Sequence, residues 1–402
     1  MSKFFWRHFL VLYTLPFFLA TSQITQVATA GKALRWLILV IGCVMTASSG
    51  FQRAGSKRIL VTWTDRIIIA FLLLFLVSEY WTIEPWATAQ RAISLLLLYG
   101  CSFWTLWRYV DQISEQEFLQ RFLQVSGIIF TLNLLSAVLL PNAWLVGRFR
   151  GFFNNPNNIG LTLSLVIPLA ISQWLYSKQN KSLFVVGILI LNLLACGSRS
   201  SMLGIASATI IVLISLFAKR PSQAVIATAI AIVGLGIFIQ TDFFIEQVLR
   251  DSSLQTASNR TYFWELAQEY IAKRPDFGHG FGTDAVIHDY YGVVLRDLKL
   301  RGHGVMSSYY GLAVQIGWPL ACCFFASLWG FAAYCITQFW RNYELISLVS
   351  CLVSGLIVCI FEPAIYSAGN CFSFLFWTIL MLATRRLYYR KLSKSRSIPI
   401  AI

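Results

Sequence analysis

The chain has 402 residues, of which 57% are hydrophobic and only 12% are charged. Repeated apolar runs of about 20 residues indicate membrane-crossing α-helices, and the short alternating segments of a transmembrane β-barrel are missing. The formal net charge of +15 does not predict nucleic-acid binding, because the basic residues cluster in short connections and at the C-terminus rather than on one face of a soluble domain.

The apolar segments predict an all-α, polytopic membrane protein with about 12 transmembrane helices. If these helices alternate in direction, the connections rich in Lys and Arg share one side, so that side and both termini are predicted to be cytoplasmic. The first segment is similar to a signal peptide, but the many segments that follow favour a helix that is retained. The predicted helices cover residues 8–27, 34–49, 59–78, 90–107, 121–140, 159–176, 182–196, 201–218, 223–240, 308–336, 344–361 and 366–384.

One long hydrophilic segment interrupts this pattern and divides the chain into three regions. Residues 1–240 hold the N-terminal transmembrane helices, 241–307 form a large loop predicted to be extracytoplasmic, and 308–402 hold the last helices and a basic cytoplasmic tail. Within the loop, apolar residues between Phe263 and Ile271 recur at helical spacing. They predict an amphipathic helix that lies at the membrane interface.

The sequence carries none of the usual signatures of a metal, nucleotide or disulfide site. All nine cysteines lie in or beside apolar runs, and no CxxC pair occurs, so neither a disulfide framework nor a zinc site is expected. There is no DxD-like pair, P-loop or GxSxG motif. We therefore predict no metal and no cofactor.

Four arginines fall on the predicted outer side, where short loops usually avoid positive charge. They are Arg148, Arg150, Arg199 and Arg260. The planar guanidinium suits phosphate oxygens, so a converging group would suit a lipid-linked phosphate or diphosphate. For each arginine alone, a lipid-headgroup contact or an ion pair remains open as an alternative.

Polar side chains near these arginines complete the candidate site. Asn155 and Asn158 could bind sugar hydroxyls or could cap the helix that follows, and Trp264 lies one helical turn after Arg260. Glu362 is a candidate partner for one of the arginines. His303 precedes a predicted helix, where a neutral imidazole could take a proton from a sugar hydroxyl or could simply pack.

Residues 145–320 resemble the O-antigen ligase and O-antigen polymerase family, which includes exopolysaccharide polymerases. The resemblance is carried by RGFFNNPNNIG, GSRSSMLG, NRTYFWELAQEYIAKRPDFGHGFG and the QIGWPLA that follows a histidine. It implies a multi-pass inner-membrane glycosyltransferase whose site faces the periplasm and whose donor is a glycan on undecaprenyl diphosphate. It also implies metal-independent transfer with inversion.

Carried onto matching positions, the resemblance implies that Arg199 and Arg260 hold the diphosphate and that Arg150 supports them. His303 would orient or deprotonate the acceptor hydroxyl. The chain departs from the family pattern here, because strict spacing places Met306 at the position of the histidine.

Three functions are compatible with these features. The HGFG turn and the helix before it favour a polymerase of lipid-linked repeat units, for which a chain-length regulator is a conceivable partner. A ligase that moves glycan onto lipid A core or another acceptor is the alternative within the family. A transporter of an anionic solute is the alternative outside it, and we detect none of the repeated halves that many transporters show.

Overall fold

The structure is a computed structural model that describes residues 2–48, 62–177, 180–219, 260–293 and 304–396, with 221–222, 225 and 229 between them. A hairpin of two short strands, β1 and β2, accompanies the helices. In chain order the described elements are α1 (Ser2–Ala20), α2 (Thr25–Ser48), α3 (Trp63–Val77), α4 (Pro85–Gly100), α5 (Leu106–Ile113), α6 (Glu115–Leu139), β1 (Trp144–Leu145), β2 (Arg148–Phe149), α7 (Pro156–Ser177), α8 (Asn180–Cys196), α9 (Arg199–Lys219), α10 (Arg260–Lys273), α11 (Ile287–Tyr290), α12 (Ser308–Ile316), α13 (Trp318–Phe339), α14 (Tyr343–Phe361) and α15 (Cys371–Arg396).

Long apolar helices dominate the fold, as the hydropathy of the sequence predicts. Two shorter apolar helices, His8–Ala20 and Ser182–Cys196, accompany them. The all-α polytopic class is therefore supported, while the number of twelve spans stays a prediction, since the predicted helix at 223–240 lies largely outside the described residues. In the described part of the chain, six helices are long and apolar enough to cross a membrane: Thr25–Ser48, Glu115–Leu139, Pro156–Leu175, Arg199–Ala218, Trp318–Phe339 and Tyr343–Phe361.

Several predicted helices differ from the observed ones: the helix predicted at 308–336, for example, is divided at Gly317 (φ 84°) into α12 and α13. The helix predicted at 366–384 begins only at Cys371 because the Asn370 side chain accepts a hydrogen bond from the Ser373 amide (2.7 Å) and caps it. The helix predicted at 90–107 runs instead from Pro85 to Ile113 and contains one π-helical turn, Cys101–Thr105.

Three central helices, α7, α9 and α14, pack closely and bring their ends together. On α9, a Cβ added at Gly204 would lie 2.7 Å from the Ser354 hydroxyl of α14. That hydroxyl donates to the Ser164 carbonyl of α7 at 2.7 Å. The first residues of α7 and α9 and the last residue of α14 consequently meet at one end of the bundle.

The other end of the bundle is fixed by a network of ion pairs. Arg385 of α15 pairs with Asp111 (2.7 Å) and with Glu115 (3.2 Å). Arg386 pairs with Glu115 (2.5 Å) and with Glu344 (2.8 Å). The network joins α5, α6, α14 and α15, and ion pairs contribute to stability mainly where, as here, several charges form a network.

We use the term loop face for the end of the bundle formed by residues 140–155, 197–198 and 362–370. In it, β1 and β2 pair antiparallel across a two-residue turn. Val146 and Gly147 have φ of 49° and 73°, which are the left-handed values that a type I′ hairpin requires. Asn154 donates its amide to the Thr21 carbonyl (2.8 Å), so the segment after the hairpin is tied to the end of α1.

The predicted amphipathic helix exists as α10. Its apolar stripe, which includes Phe263, Ala267 and Tyr270, is buried in a cluster with Ile287 and Val314. The stripe is thus covered by protein rather than left open to a membrane surface, because the segments that follow α10 fold back over it.

A buried histidine helps to hold this covering in place. The His279 ring bonds to the Val314 carbonyl through Nδ1 (3.0 Å) and to the Tyr291 hydroxyl through Nε2 (2.7 Å). A carbonyl only accepts, so Nδ1 carries the proton and Nε2 accepts from Tyr291. Burial lowers the pKa of His279 from its usual 6.5, and the positive charges of Arg274 and Lys273 lower it further.

We expect the free energy of unfolding to decrease as pH falls below about 6.5, because His279 binds a proton there in the unfolded chain and not in the folded one. Thermal unfolding of the full-length protein in detergent between pH 7.5 and pH 5 measures this dependence. In a His279→Gln variant, this component of the dependence should be absent. An equal pH dependence in the variant and the parent would contradict the assignment.

Candidate functional site

Arg148 is placed by the hairpin on the loop face. It lies in β2 opposite Leu145, and its guanidinium donates from Nε to the Cys196 carbonyl and from Nη2 to Asn157 Oδ1, both at 2.8 Å. The first contact reaches the end of α8 and the second reaches the start of α7. Arg148 therefore joins three segments at one point.

Arg199 is the first residue of α9 and follows a glycine turn. Gly197 has φ of 55°, which lets the chain reverse between α8 and α9. Gly160 of α7 makes the approach possible, since a Cβ there would lie 2.3 Å from Cβ of Ser198. The N-terminus of α9, which carries a partial positive charge, is thereby held beside the N-terminus of α7.

Arg260 begins α10 and reaches the end of α14. Its Nη2 lies 2.6 Å from Glu362 Oε1, and its Nε donates to the Phe361 carbonyl at 3.0 Å. Asn157 Nδ2 donates to the same carboxylate oxygen at 3.3 Å. Glu362 is thus the link between Arg260 and the Arg148 side of the loop face, as its position at the outer end of a late helix suggests.

These contacts surround one cavity of about 70 Å³, which we call the arginine cavity. Arg148 and Arg199 belong to the N-terminal region and Arg260 to the predicted large loop, so the cavity is built across the sequence. Among the described residues, three guanidiniums meet at this cavity, and the carboxylate of Glu362 contacts one of them, that of Arg260. The cavity is lined by Arg148, Asn157, Gly197, Ser198, Arg199, Ser200 and Arg260.

The pKa shifts reflect this crowding of charge. Burial lowers the pKa of Arg148. The positive charges of Arg260 and Arg199 lower this pKa further, whereas the negative charge of Glu362 raises it. Burial raises the pKa of Glu362, and Arg260 and Arg148 oppose that rise. Because guanidinium stays protonated in proteins, the three arginines keep their positive charges and favour an anionic ligand.

Not all predicted residues line the arginine cavity. Arg150 donates to the carbonyls of Asn142 (2.8 Å) and Asn154 (3.3 Å), so it stabilises its own loop. Asn155 accepts from the Asn157 amide through Oδ1 at 2.8 Å, which makes it the cap of α7. Neither residue lines the cavity, and the predicted supporting role of Arg150 in the phosphate site and the ligand role of Asn155 stay predictions.

Asn158 also lies outside the cavity lining. Its Nδ2 donates to Asn154 Oδ1 at 2.7 Å, and the cap role that the sequence also allowed for it belongs to Asn155. The asparagine that reaches both Arg148 and Glu362 is Asn157. The sequence analysis counted Arg148 among four arginines suited to a phosphate, but it did not carry Arg148 over from the family resemblance and did not single out Asn157 from its neighbouring asparagines.

Trp264 acts as a support one turn after Arg260. Its indole donates to the Met306 carbonyl at 3.1 Å, and Ser308 donates to the Glu362 carbonyl at 2.6 Å. The segment 304–308 therefore contacts both α10 and the loop that begins at Glu362. His303 lies outside the described residues, so its predicted role as a base stays a prediction.

Metal ligation has no evident basis in the described part of the chain. Among those residues, no group of three or more His, Cys, Asp or Glu side chains could hold a metal ion. The charge that the cavity offers to a ligand is supplied by arginines and helix N-termini.

We expect Gly160→Val to lower any activity of the arginine cavity strongly, because the new side chain must push Ser198 and the start of α9 away. A displacement of about 1 Å at a reactive site can cost about 10²-fold in rate. The matched control is Gly187→Val in α8, where nothing lies within 4 Å of an added Cβ. Activity and melting temperature are measured for both variants. Equal activity in both would show that the close approach of α7 and α9 is unimportant.

Comparison with protein families gives one result that bears on this site. Residues 183–325 match the family described as O-antigen ligase, and the matched segment includes Arg199 and Arg260. Arg148, Asn157 and Glu362 lie outside it. Among curated proteins, none matches the chain. The match supports a membrane protein of the O-antigen ligase and polymerase family.

Proposed function

We propose that this chain, whose residues 183–325 match the O-antigen ligase family, transfers a glycan from a lipid-linked diphosphate to a sugar hydroxyl. The finer proposal is polymerisation of undecaprenyl-diphosphate-linked repeat units into O-antigen or exopolysaccharide. The loop face would then be the periplasmic side of the inner membrane, with both termini in the cytoplasm.

The observation that carries the proposal is the convergence of Arg148, Arg199 and Arg260 on one cavity. They come from a hairpin, a helix start and a distant helix. Glu362 contacts Arg260 directly and is linked to Arg148 through Asn157. A diphosphate diester carries two negative charges, and guanidinium groups bind phosphate oxygens through their planar forks. Helix N-termini add further donors for phosphate oxygens.

The reaction breaks the bond between the anomeric carbon of the donor and the diphosphate oxygen. The acceptor hydroxyl oxygen forms the new bond to that carbon from the opposite face, and its proton passes to a base. The lipid diphosphate leaves with the bonding electron pair, so negative charge develops on an oxygen inside the arginine cavity. Fixed cations aimed at that oxygen stabilise the transition state more than the ground state.

The reaction also needs a group that accepts the proton of the acceptor hydroxyl. Met306, which family spacing would place at the histidine position, has no group that takes a proton. His303 lies three residues earlier in the sequence, and we propose it as the group that accepts the proton from the hydroxyl. Glu362 is less suited to this role because its carboxylate is engaged by Arg260 at 2.6 Å.

Polymerase and ligase share this chemistry and differ in the acceptor. The similarity of the α10 sequence and the HGFG turn to exopolysaccharide polymerases favours polymerisation. The description of the matched family, O-antigen ligase, is the observation that favours transfer to lipid A core or another acceptor. A transporter remains the alternative outside the family.

The test is transfer by the purified full-length protein in nanodiscs supplied with an undecaprenyl-diphosphate-linked repeat unit. A polymerase gives a ladder of products that differ by one repeat unit. A ligase gives a single addition, and only when lipid A core is present. The same protein is also placed in proteoliposomes to measure flux of small anions.

The outcomes separate the three functions. A ladder of products without added lipid A core supports the polymerase. A single addition that requires lipid A core would overturn polymerisation and support the ligase. Anion flux together with no transfer in either condition would overturn glycosyl transfer and favour a transporter.

A further inference from the structure

A second cavity opens on the loop face and shares a loop with the arginine cavity. Its volume is about 490 Å³, which lies in the range of small-molecule sites. Glu362 belongs to the first site, whereas Pro363 and Tyr366–Gly369 line the second. Ser308 fixes this loop because it donates to the Glu362 carbonyl (2.6 Å) and accepts from the Ala364 amide (3.0 Å).

One wall of the second cavity is formed by α2 and carries an arginine within a candidate membrane span. Arg35 Nη1 donates to the Gly369 carbonyl at 2.7 Å, and its guanidinium lies 6.0 Å from the ring centroid of Phe17. Among the described residues, Arg35 makes no ion pair. An arginine at membrane depth without an acidic partner is costly and usually marks a ligand or ion site.

The facing wall is formed by α4 and by the turn after α10. Arg91 Nη1 pairs with Asp284 Oδ1 at 2.9 Å, and Tyr366 donates to the other oxygen of that carboxylate at 3.3 Å. This pair is neutral as a whole. Among the lining residues that the structure describes, the guanidinium of Arg35 is therefore the excess charge, and it favours a ligand with one negative charge.

The rest of the lining fits a sugar. Trp36 offers an aromatic surface, Gln90 and Ser94 offer hydrogen bonds, and the segment from Ser367 to Gly369 is small enough to leave room. A site of mixed apolar and hydrogen-bonding groups is typical of pockets that bind small polar molecules. Two phosphates would require a second excess cation, and the lining residues that the structure describes supply one, Arg35.

We propose that the second cavity binds an acidic sugar of the acceptor glycan, with the sugar carboxylate on Arg35. That the ligand is a glycan rests on the proposed function, whereas the preference for one negative charge is inferred from the residues of the cavity. The loop from Glu362 to Gly369 then holds the acceptor next to the donor diphosphate in the arginine cavity. Acidic repeat units are bound more tightly than their neutral counterparts.

The experiment measures binding of oligosaccharides to the full-length protein in nanodiscs of phosphatidylcholine. Fragments that contain glucuronate or galacturonate are compared with the same fragments after reduction of the carboxyl group to an alcohol. We expect at least one acidic fragment to bind about tenfold or more tightly than its reduced form, because one charge-assisted contact is lost.

Two variants locate the binding. Arg35→Gln should remove the preference for the acidic fragment. Ser94→Phe should weaken the binding of both fragments, because the larger side chain fills the cavity while Arg35 is kept. Arg66→Gln is the matched control, since this exposed arginine of α3 lies over Trp63 and does not line the cavity. Equal binding of acidic and reduced fragments by the parent, or an unchanged preference in Arg35→Gln, overturns the proposal.

Two further outcomes keep this inference separate from the proposed function. If the acidic preference is present and depends on Arg35 but no glycan transfer occurs, the second cavity stands and the transfer reaction falls. If transfer occurs and the acidic preference is absent, the transfer reaction stands and the assignment of the second cavity falls. Complete displacement of the fragment by added phosphatidylglycerol would assign the cavity to a lipid headgroup and overturn the glycan assignment.

Discussion

Replacing Arg199 by alanine is expected to lower the rate of glycan transfer by about 10²–10³-fold, the usual cost of losing one preorganised transition-state donor. Arg199 lines the arginine cavity at the start of α9, where the helix N-terminus adds to its charge. Because negative charge develops on the diphosphate only as the bond breaks, the loss should appear mainly in kcat rather than in KM. Single-turnover transfer with a purified lipid-linked donor measures it.

Two variants accompany this measurement. Arg199→Lys keeps the charge but loses the planar fork, so it should recover only a fraction of the rate. Arg341→Ala is the control, because Arg341 stacks over Trp340 at the other end of the bundle and should leave transfer unchanged. Full activity of Arg199→Ala with a normal melting temperature would contradict the role of the arginine cavity in transfer.

Much of the fold follows from the sequence because burial in a bilayer leaves few solutions for a backbone. An apolar run long enough to span must be helical, so α6, α7, α9 and α14 could be placed from hydropathy. Local capping was harder to predict. The start of α15 depends on one side-chain contact of Asn370, and the π-helical turn Cys101–Thr105 depends on packing against α2.

The convergence of Arg199, Arg260 and Glu362 could be predicted because all three lie at helix ends that alternation of spans brings to one side. Which of Arg148 and Arg150 lines the arginine cavity could not be predicted from the sequence. They lie two positions apart in one short loop, and the chain path through β2 decides that Arg148 reaches the start of α7 and the end of α8. No periodicity in the sequence encodes that path.

The same limit explains the asparagines. In NNPNN, four amides lie within five positions, and any of them could cap a helix or face a ligand. Pro156 begins α7, which makes Asn155 the cap and directs the Asn157 side chain toward Arg148 and Glu362. Only the position of Pro156 relative to the helix start gives a hint of this in the sequence.

Removal of the Glu362 carboxylate is expected to destabilise the folded protein, because the three guanidiniums of the arginine cavity then lack its negative charge. Breaking a buried ion pair from one side costs about 3–5 kcal/mol, and Arg260 and Glu362 side chains are only 17% and 11% exposed. We therefore expect Glu362→Ala to lower the melting temperature clearly and Arg260→Ala to lower it less, since Glu362 can then become protonated.

A double-mutant cycle decides whether the pair acts as one unit. The loss of stability in Glu362→Ala with Arg260→Ala should be smaller than the sum of the two single losses, because the second change removes a charge that the first left uncompensated. Added pyrophosphate should raise the melting temperature of Glu362→Ala more than that of the parent protein, since the anion replaces the missing negative charge. Additive losses together with no pyrophosphate effect would mean that Glu362 does not balance the charge of the arginine cavity.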